Sequence, residues 1–258
     1  MLAKGVNGTM KDKVNILGVY VDMVGIQQSA DRIMQFFNED KVHKVYTPNS
    51  EILMTAYKDE EFKKLLNDAE LLTADGIGVV YAAKLLGRPI SERAAGYDIA
   101  CEVLDRIKGT SHSVFLFGGK PGVAELAKEK LEEKYPGIRI AGMRNGYFKP
   151  EDEPEIVDEI NKSGADLLFV CLGAPKQEKW LAANAQGLKN IRVAMGIGGS
   201  LDVFAGTVLR APEWYCKHGL EWFYRLKKEP WRAKRMLALP KFAMTVLLHG
   251  RSRRFPQD

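Results

Sequence analysis

The sequence predicts an α/β fold with a mainly parallel, Rossmann-like sheet flanked by helices. Between residues 14 and 205, short runs of β-branched and apolar residues alternate with longer amphipathic runs, which is the pattern of a parallel sheet covered by helices. Turn residues such as Gly, Pro, Asn and Asp follow most of the short runs. The chain has 258 residues, of which 46% are hydrophobic, and this is enough to bury one large core.

Each expected strand is a short run rich in Val, Ile, Leu or Phe. The strands cover residues 14–19, 42–46, 70–73, 113–117, 138–141, 166–171 and 191–195. Helices are expected between them, because apolar residues recur there at helical spacing. They lie near residues 26–38, 50–68, 77–87, 97–108, 121–134, 154–163 and 176–186. In parallel sheets, ligands bind beyond the carboxyl ends of the strands, so a site is expected in the loops there.

Positive charge is concentrated at the C-terminal end of the chain. Residues 1–216 hold 27 Lys/Arg and 30 Asp/Glu, whereas residues 217–258 hold 11 Lys/Arg and 3 Asp/Glu. The tail is also rich in aromatic residues, but its apolar run at 236–248 has only 13 residues, too few to span a bilayer. A basic, amphipathic tail of this kind predicts binding to an anionic membrane surface. Its apolar face predicts a homo-oligomer in solution.

Three parts of the chain are therefore expected. They are a flexible leader at 1–10, an α/β domain carrying the site at 11–208, and a membrane-associating helical appendage at 209–258. The three cysteines lack a C-x-x-C spacing and the four histidines are scattered, so neither a disulfide framework nor a metal site is expected. No signal peptide is evident, and a reducing compartment fits.

Charged and polar residues follow several of the predicted strands. Asp75, in the run TADGIG, is a candidate general base toward a sugar hydroxyl, and capping of the next helix is its alternative role. Arg93 has a fork-shaped guanidinium that suits a diphosphate, and an ordinary surface arginine is the alternative. Gln177 begins a helix after an Ala-Pro pair, where it either caps that helix or points into the cleft.

Two glycine-rich turns are candidate phosphate sites. Gly118–Gly119 and Gly196–Ser200 each end a strand before a helix, and glycine at such a turn lets a phosphate approach backbone N–H groups. A simple tight turn is the alternative. Asp202 is a candidate partner for a ribose hydroxyl. Tyr147 either stacks on a base or anchors a turn.

Nine sequence runs, in this order and spacing, resemble the WecG/TagA/CpsF glycosyltransferases. They are TPNSE (47–51), TADGIGVV (73–80), ERAAGYD (92–98), FLFGG (115–119), NGYF (145–148), LGAPKQEKW (172–180), GIGGSLDVFAG (196–206), RAPEW (210–214) and GLEWFYRLKKEPWR (219–232). The resemblance spans residues 14–235 and is strongest to the teichoic-acid N-acetylmannosaminyltransferases. It implies an inverting transfer without metal or cofactor, at the cytosolic face of the membrane. The implied donor is UDP-N-acetylmannosamine, and the acceptor is N-acetylglucosamine-diphosphoryl-undecaprenol, joined by a β-1,4 linkage.

The resemblance also implies roles for individual residues. Asp75 matches the family's proposed catalytic base, and Thr47, Arg93 and Gln177 match other catalytic-pocket residues. The implied substrate-binding residues are Asn49, Gly118, Tyr147, Gly173, Gly198, Gly199, Asp202, Arg225, Arg232 and Arg235. The tail arginines match basic residues that the family uses near the acceptor or the leaving diphosphate. Closure of the tail over the cleft is therefore expected.

Three alternative functions stay open at this point. The first keeps the family but uses another donor, such as UDP-N-acetylmannosaminuronic acid. The second is an NAD-dependent oxidoreductase, against which stand the missing G-x-G-x-x-G fingerprint and the absence of a Tyr-x-x-x-Lys pair. The third is a nucleic-acid-binding protein that uses the basic tail. The apolar run at 236–248 favours a membrane over nucleic acid, so no nucleic acid partner is expected.

Overall fold

The computed structural model describes residues 12–228 and 238–249. The strands are β1 (Lys13–Ile16), β2 (Val19–Asp22), β3 (His43–Tyr46), β4 (Leu71–Leu72), β5 (Ser113–Gly118), β6 (Arg139–Arg144), β7 (Leu167–Cys171) and β8 (Val193–Gly196). The helices are α1 (Ile26–Phe36), α2 (Ser50–Lys58), α3 (Glu60–Asn67), α4 (Ile77–Leu85), α5 (Gly96–Ile107), α6 (Val123–Lys134), α7 (Glu153–Ser163), α8 (Lys176–Asn184), α9 (Ser200–Phe204), α10 (Glu213–Lys217), α11 (Glu221–Lys228) and α12 (Ala238–His249). Short 3₁₀ turns lie at Pro150–Asp152 and Ala185–Gly187.

Six strands form one parallel sheet in the order β4-β3-β8-β7-β5-β6. Strands β5 and β7 are buried along their whole length. This explains why their sequences are continuous apolar runs rather than alternating ones. The predicted α/β fold with a mainly parallel sheet is confirmed. Because β4, β3, β8 and β7 are neighbours, the loops at their carboxyl ends meet at one part of the sheet edge.

The predicted first strand at 14–19 is wrong. This segment belongs to an antiparallel hairpin of β1 and β2 that is separate from the main sheet. The chain reverses at Leu17 and Gly18, whose φ angles are 56° and 94°, as in a two-residue hairpin turn. The side-chain oxygen of Asn15 accepts a hydrogen bond from the Gly18 N–H at 2.8 Å, which stabilises the reversal.

The predicted helix at 50–68 is divided at Asp59. This residue has extended backbone angles, ends α2, and begins α3 by accepting a hydrogen bond from the Phe62 N–H at 3.0 Å. A side chain that caps the next helix competes with continuation of the previous one. The other six predicted helices agree with the structure to within two residues at each end.

Two apolar clusters cover the two faces of the sheet. Alternate residues of β5 belong to opposite clusters, Phe115 to one and Leu116 to the other. The first cluster also includes Phe242 and Val246 of α12, which are 2% and 1% exposed. Helix α12 therefore packs on α2 and α4.

The predicted division of the chain into a leader, a domain and an appendage stays a prediction. The leader at 1–10, Arg232 and Arg235 lie outside the described residues, and Arg225 lies on α11. Within residues 12–228 and 238–249, no helix is both long enough and apolar enough to span a bilayer.

Candidate active site

A cavity of about 350 Å³ opens at the carboxyl ends of β3, β4, β7 and β8. We call it the sheet-edge cavity, and it is lined by eight of the predicted site residues: Asp75, Thr47, Arg93, Gln177, Asn49, Gly173, Gly198 and Gly199. Helices α2 and α8 begin at this cavity because each follows a strand of the parallel sheet. Their N-terminal ends carry partial positive charge, so the cavity suits a phosphate-containing ligand.

A second cavity of about 190 Å³ adjoins the first at the start of α4. We call it the junction cavity. The residues that line both cavities are Asn49, Glu51, Asp75, Arg93 and Glu221. Asp75 therefore faces two connected spaces. The N-cap position of α4 belongs to Gly76, so Asp75 lies one residue before the position that a capping side chain occupies.

Carboxylates from two helices hold Arg93. Its guanidinium donates hydrogen bonds to Glu221 of α11 at 2.6 Å and to Asp98 of α5 at 3.4 Å. Burial alone would lower the pKa of Arg93, but the hydrogen bond to Glu221 and the charges of Glu221, Asp75 and Asp98 outweigh burial and raise it. The side chain is only 16% exposed. Arg93 is therefore a fixed cation within electrostatic reach of Asp75.

The sequence-based prediction missed a second cation of the sheet-edge cavity, Arg210. Its guanidinium hydrogen-bonds Asp98, the same carboxylate that Arg93 contacts, and lies 4.7 Å from the centroid of the Tyr97 ring, a cation–π distance. Tyr97 in turn packs on Phe204, with ring centroids 4.7 Å apart. Arg210 and Asp98 are 112 residues apart, so no local sequence pattern predicts their ion pair.

Gln177 joins two of the loops that form the cavity. Its side-chain oxygen accepts a hydrogen bond from the Gly198 N–H at 2.9 Å, and its NH₂ donates to Glu178 at 2.9 Å. Gln177 is 3% exposed. The side chain thus sets the position of the Gly198 loop against the start of α8, where the Ala174–Pro175 peptide bond is cis.

Thr47 and Asn49 position the loop after β3. Thr47 donates a hydrogen bond to the carbonyl of Gly196 at 3.3 Å, which ties this loop to the end of β8. The Asn49 oxygen accepts from the N–H groups of Glu51 and Ile52 and so caps α2. Capping uses the oxygen of Asn49, which leaves its NH₂ as the group able to donate to a ligand.

Glu178 is a buried carboxyl directly beside this network. It is 1% exposed, and its Oε2 has no hydrogen-bond partner among the described residues. Burial raises the pKa of Glu178, although the hydrogen bond from Gln177 opposes this. The side chain is held next to the site in an environment that favours its neutral form.

The remaining predicted binding residues with described side chains, Gly118, Tyr147 and Asp202, do not line the sheet-edge cavity. A Cβ at Gly118 would lie 2.3 Å from the Cys171 carbonyl oxygen, so glycine is required there for the close approach of β5 and β7. Tyr147 is 67% exposed. Asp202 is beside the cavity wall, because its Oδ2 lies 4.0 Å from a Cβ built on Gly199.

The predicted absence of a metal site stays a prediction. Within the part of the chain that the structure describes, no group of three or more His, Cys, Asp and Glu residues is placed to hold a metal ion.

A parallel sheet with a polar, arginine-containing cleft at its carboxyl edge defines an α/β protein with its candidate ligand site in the usual place for this fold. The sequence profile of the glycosyl transferase WecG/TagA/CpsF family matches residues 14–256, and the chain belongs to this family. The family predicted from the sequence motifs is therefore confirmed.

Curated relatives carry the name N-acetylglucosaminyldiphosphoundecaprenol N-acetyl-beta-D-mannosaminyltransferase. The chain is 38% identical over 225 residues to the one from Bacillus subtilis, which covers 87% of each chain. It is 39% identical over 217 residues to the one from Bacillus spizizenii, covering 84% of this chain and 83% of the relative. It is 36% identical over 236 residues to the one from Staphylococcus aureus, covering 91% of this chain and 92% of the relative.

Proposed function

We propose that this protein transfers N-acetylmannosamine from UDP-N-acetylmannosamine to N-acetylglucosamine-diphosphoryl-undecaprenol. The product is a β-1,4-linked disaccharide lipid, formed at an early step in the synthesis of the wall teichoic acid linkage unit. The names of the relatives support this donor sugar and this acceptor. The position of Asp75 between two connected cavities carries the proposal, because a base for this reaction must face both substrates.

In the proposed arrangement, the donor sugar occupies the sheet-edge cavity. Thr47, Asn49 and Gln177 line it, and the NH₂ of Asn49 is available to the sugar. The nucleotide extends toward the loop after β6, where Tyr147 offers an exposed ring to the uracil. Asp202, on α9 after β8, offers a carboxylate to the ribose. Gly118 contributes by allowing the close approach of β5 and β7.

The acceptor enters through the junction cavity. Asp75 takes the proton of the acceptor's 4-hydroxyl. The hydroxyl oxygen attacks the anomeric carbon of the donor sugar from the face opposite UDP. A positioned general base of this kind accelerates a reaction by about 10²–10⁴-fold. The bond to UDP breaks at the same time, and the charge that develops on the diphosphate is stabilised by Arg93, Arg210 and the N-terminal end of α8. The loop glycines Gly173, Gly198 and Gly199 let the diphosphate approach the backbone, and Arg225, Arg232 and Arg235 of the tail complete the site on the membrane.

We also propose a peripheral location on the cytosolic face of the membrane. The acceptor named for the relatives is a lipid, and the tail carries the excess of positive charge. Large apolar side chains are exposed near the cleft and on α12, among them Leu209, Trp214 and Leu248. The expected homo-oligomer would cover part of this surface in the absence of lipid, and light scattering with and without detergent tests it.

Release of UDP is the measurement that tests the function. Full-length enzyme receives UDP-N-acetylmannosamine and a short-chain N-acetylglucosamine-diphosphoryl lipid, with EDTA present. We expect acceptor-dependent UDP release by the wild type and a loss of about 10²–10⁴-fold in kcat for Asp75→Asn. Glu51→Gln is the matched control, since it neutralises another carboxylate that lines both cavities, and its effect should be much smaller.

Each result has a defined meaning. Undiminished turnover by Asp75→Asn would remove this residue as the base. Release only with UDP-N-acetylmannosaminuronic acid, tested in parallel, would keep the family and change the donor. Loss of wild-type activity in EDTA that added Mg²⁺ restores would contradict the proposed metal independence.

A further inference from the structure

An apolar groove lies between α4 and α12, next to the start of α11. Its volume is about 260 Å³, and its walls include Ile77, Tyr81, Leu85, Trp222, Leu239 and Ala243. Tyr81 and Leu85 are 63% and 44% exposed, so these apolar side chains face solvent across the opening. An open apolar groove of this kind is a candidate binding feature. We call it the α4–α12 groove.

The α4–α12 groove continues into the junction cavity. Ile77, Gly78, Trp222 and Leu239 line both spaces, and the junction cavity in turn shares Asp75 with the sheet-edge cavity. The two helices α2 and α4 approach closely at this point, since a Cβ on Gly78 would lie 2.5 Å from the hydroxyl oxygen of Ser50. A single elongated ligand therefore has a continuous path from Asp75 to the groove.

The lining of this path changes from polar to apolar along its length. In the junction cavity, Arg93, which also faces the sheet-edge cavity, supplies a cation beside the carboxylates of Glu51, Asp75 and Glu221. Helix α4 begins with its N-terminal end toward the space. Ser50 lines the same space. It is 3% exposed, and its hydroxyl has no hydrogen-bond partner among the described residues. A ligand oxygen in the junction cavity would satisfy that hydroxyl. Among the described residues, none of those that line the α4–α12 groove is charged.

We propose that the α4–α12 groove binds the first isoprenoid units of the lipid acceptor, with the diphosphate in the junction cavity and the terminal sugar at Asp75. This inference rests on the proposed function, in which the acceptor is a polyprenyl diphosphate. Such a molecule consists of a sugar, then a diphosphate and then a hydrocarbon chain. This order matches the change from a polar to an apolar lining along the path. The groove is smaller than the roughly 300–1,000 Å³ of sites that enclose whole drug-sized ligands, so it takes the start of the chain and the rest remains in the bilayer.

The test compares two N-acetylglucosamine-diphosphoryl acceptors, one with a methyl group and one with a farnesyl chain, in the absence of vesicles. Each methylene removed from water contributes about fourfold to affinity, so the farnesyl acceptor should have a KM lower by about tenfold or more. Ala243 is exposed on the groove wall. Ala243→Trp should fill the groove, raise the KM for the farnesyl acceptor by about tenfold, and leave the KM for the methyl acceptor within about twofold.

Lys241→Trp is the matched control, because it places the same indole at an exposed position of α12 that does not line the groove. It should behave as the wild type. Ala243→Glu introduces a charge with less bulk than Trp. It should also raise the KM for the farnesyl acceptor and leave the KM for the methyl acceptor nearly unchanged. Equal KM values for the two acceptors in the wild type, or a chain preference that survives both Ala243 variants, would overturn the assignment.

A binding measurement separates this inference from the proposed function. Farnesyl diphosphate carries no sugar, so its binding does not depend on which sugar the enzyme transfers. It should change the fluorescence of the wild type, and the change should be lost in Trp222→Phe and weakened in Ala243→Glu. If neither acceptor supports transfer, the proposed function fails. If farnesyl diphosphate does not bind, the groove assignment fails whatever the transfer assay shows.

Discussion

The carboxyl edge of the sheet has two parts whose side chains are held in different ways. In the loops after β3, β4, β7 and β8, polar side chains are buried and hydrogen-bonded, as with Thr47 and Gln177 at 6% and 3% exposure. In the loops after β5 and β6, glycines pack closely and Tyr147 projects into solvent. The first part is built to fix groups before the substrate arrives, whereas the second leaves a ring free to meet a ligand. Substitutions in the first part should therefore lower kcat, and substitutions in the second should raise KM for the donor.

Arg93→Ala should have the largest effect of the variants that sharpen this comparison. Removal of one fixed donor from a developing negative charge typically costs about 10²–10³-fold in kcat. Arg93→Lys keeps the charge but loses the fork-shaped geometry, so it should restore only part of the rate. Steady-state UDP release at saturating donor concentration measures the kcat of both Arg93 variants.

The control for Arg93 is Arg106→Ala. Arg106 is also held by two carboxylates, Asp31 at 2.6 Å and Glu102 at 2.9 Å, but it does not line the sheet-edge cavity. The kcat of Arg106→Ala should stay within about twofold of the wild type, because surface ion pairs contribute little to stability. A comparable loss of kcat in Arg106→Ala would show that the Arg93 effect comes from disturbed folding.

Tyr147→Ala should have an intermediate effect, confined to donor binding. Stacking of a base on an aromatic ring contributes about 1–3 kcal/mol, so the KM for the UDP-sugar should rise by about tenfold while kcat changes little. Tyr147→Phe keeps the ring and should remain close to the wild type. If Tyr147→Ala lowers kcat and leaves KM unchanged, the division of the sheet edge into two parts is contradicted.

Much of the first part of the site was predictable from sequence, because strand ends are local features. Asp75, Thr47 and Gln177 each follow a recognisable apolar run, and parallel topology brings those run ends together. Arg210 and Glu221 were not predictable in this way. Each reaches the cavity from beyond the last strand and is positioned by a partner distant in sequence, Asp98 for Arg210 and Arg93 for Glu221.

The fold shows the same limit at its N-terminal end. The apolar run at 14–19 has the composition of one strand, and a single chain reversal inside it converts one strand into two. The reversal places Leu17 at a positive φ, which a residue with a bulky side chain rarely adopts. Only the Asn15 side chain and Gly18 stabilise the reversal locally. The sequence therefore contains few turn residues here, and its apolar residues favour a single strand.

Glu178→Gln should have the smallest effect on activity and a clear effect on stability. The pKa of Glu178 in the folded protein is raised above its ordinary value of 4.5 by burial. A carboxyl with a raised folded pKa contributes its full stability below the unfolded pKa and loses it as the pH rises through the folded pKa. The wild type should therefore lose stability from Glu178 as the pH rises above about 4.5, whereas glutamine cannot ionise and still accepts from Gln177.

Chemical denaturation at pH 5 and pH 8 measures this difference. The gain in unfolding free energy of Glu178→Gln over the wild type should be small at pH 5 and reach about 1–2 kcal/mol at pH 8, in the range for a buried group without a partner. Glu129→Gln, on the exposed face of α6, is the control and should follow the wild type at both pH values. If the gain is the same at both pH values, the buried carboxyl does not titrate in this range. If Glu178→Gln also lowers kcat by tenfold or more, Glu178 belongs with the groups that the first part of the sheet edge holds for chemistry.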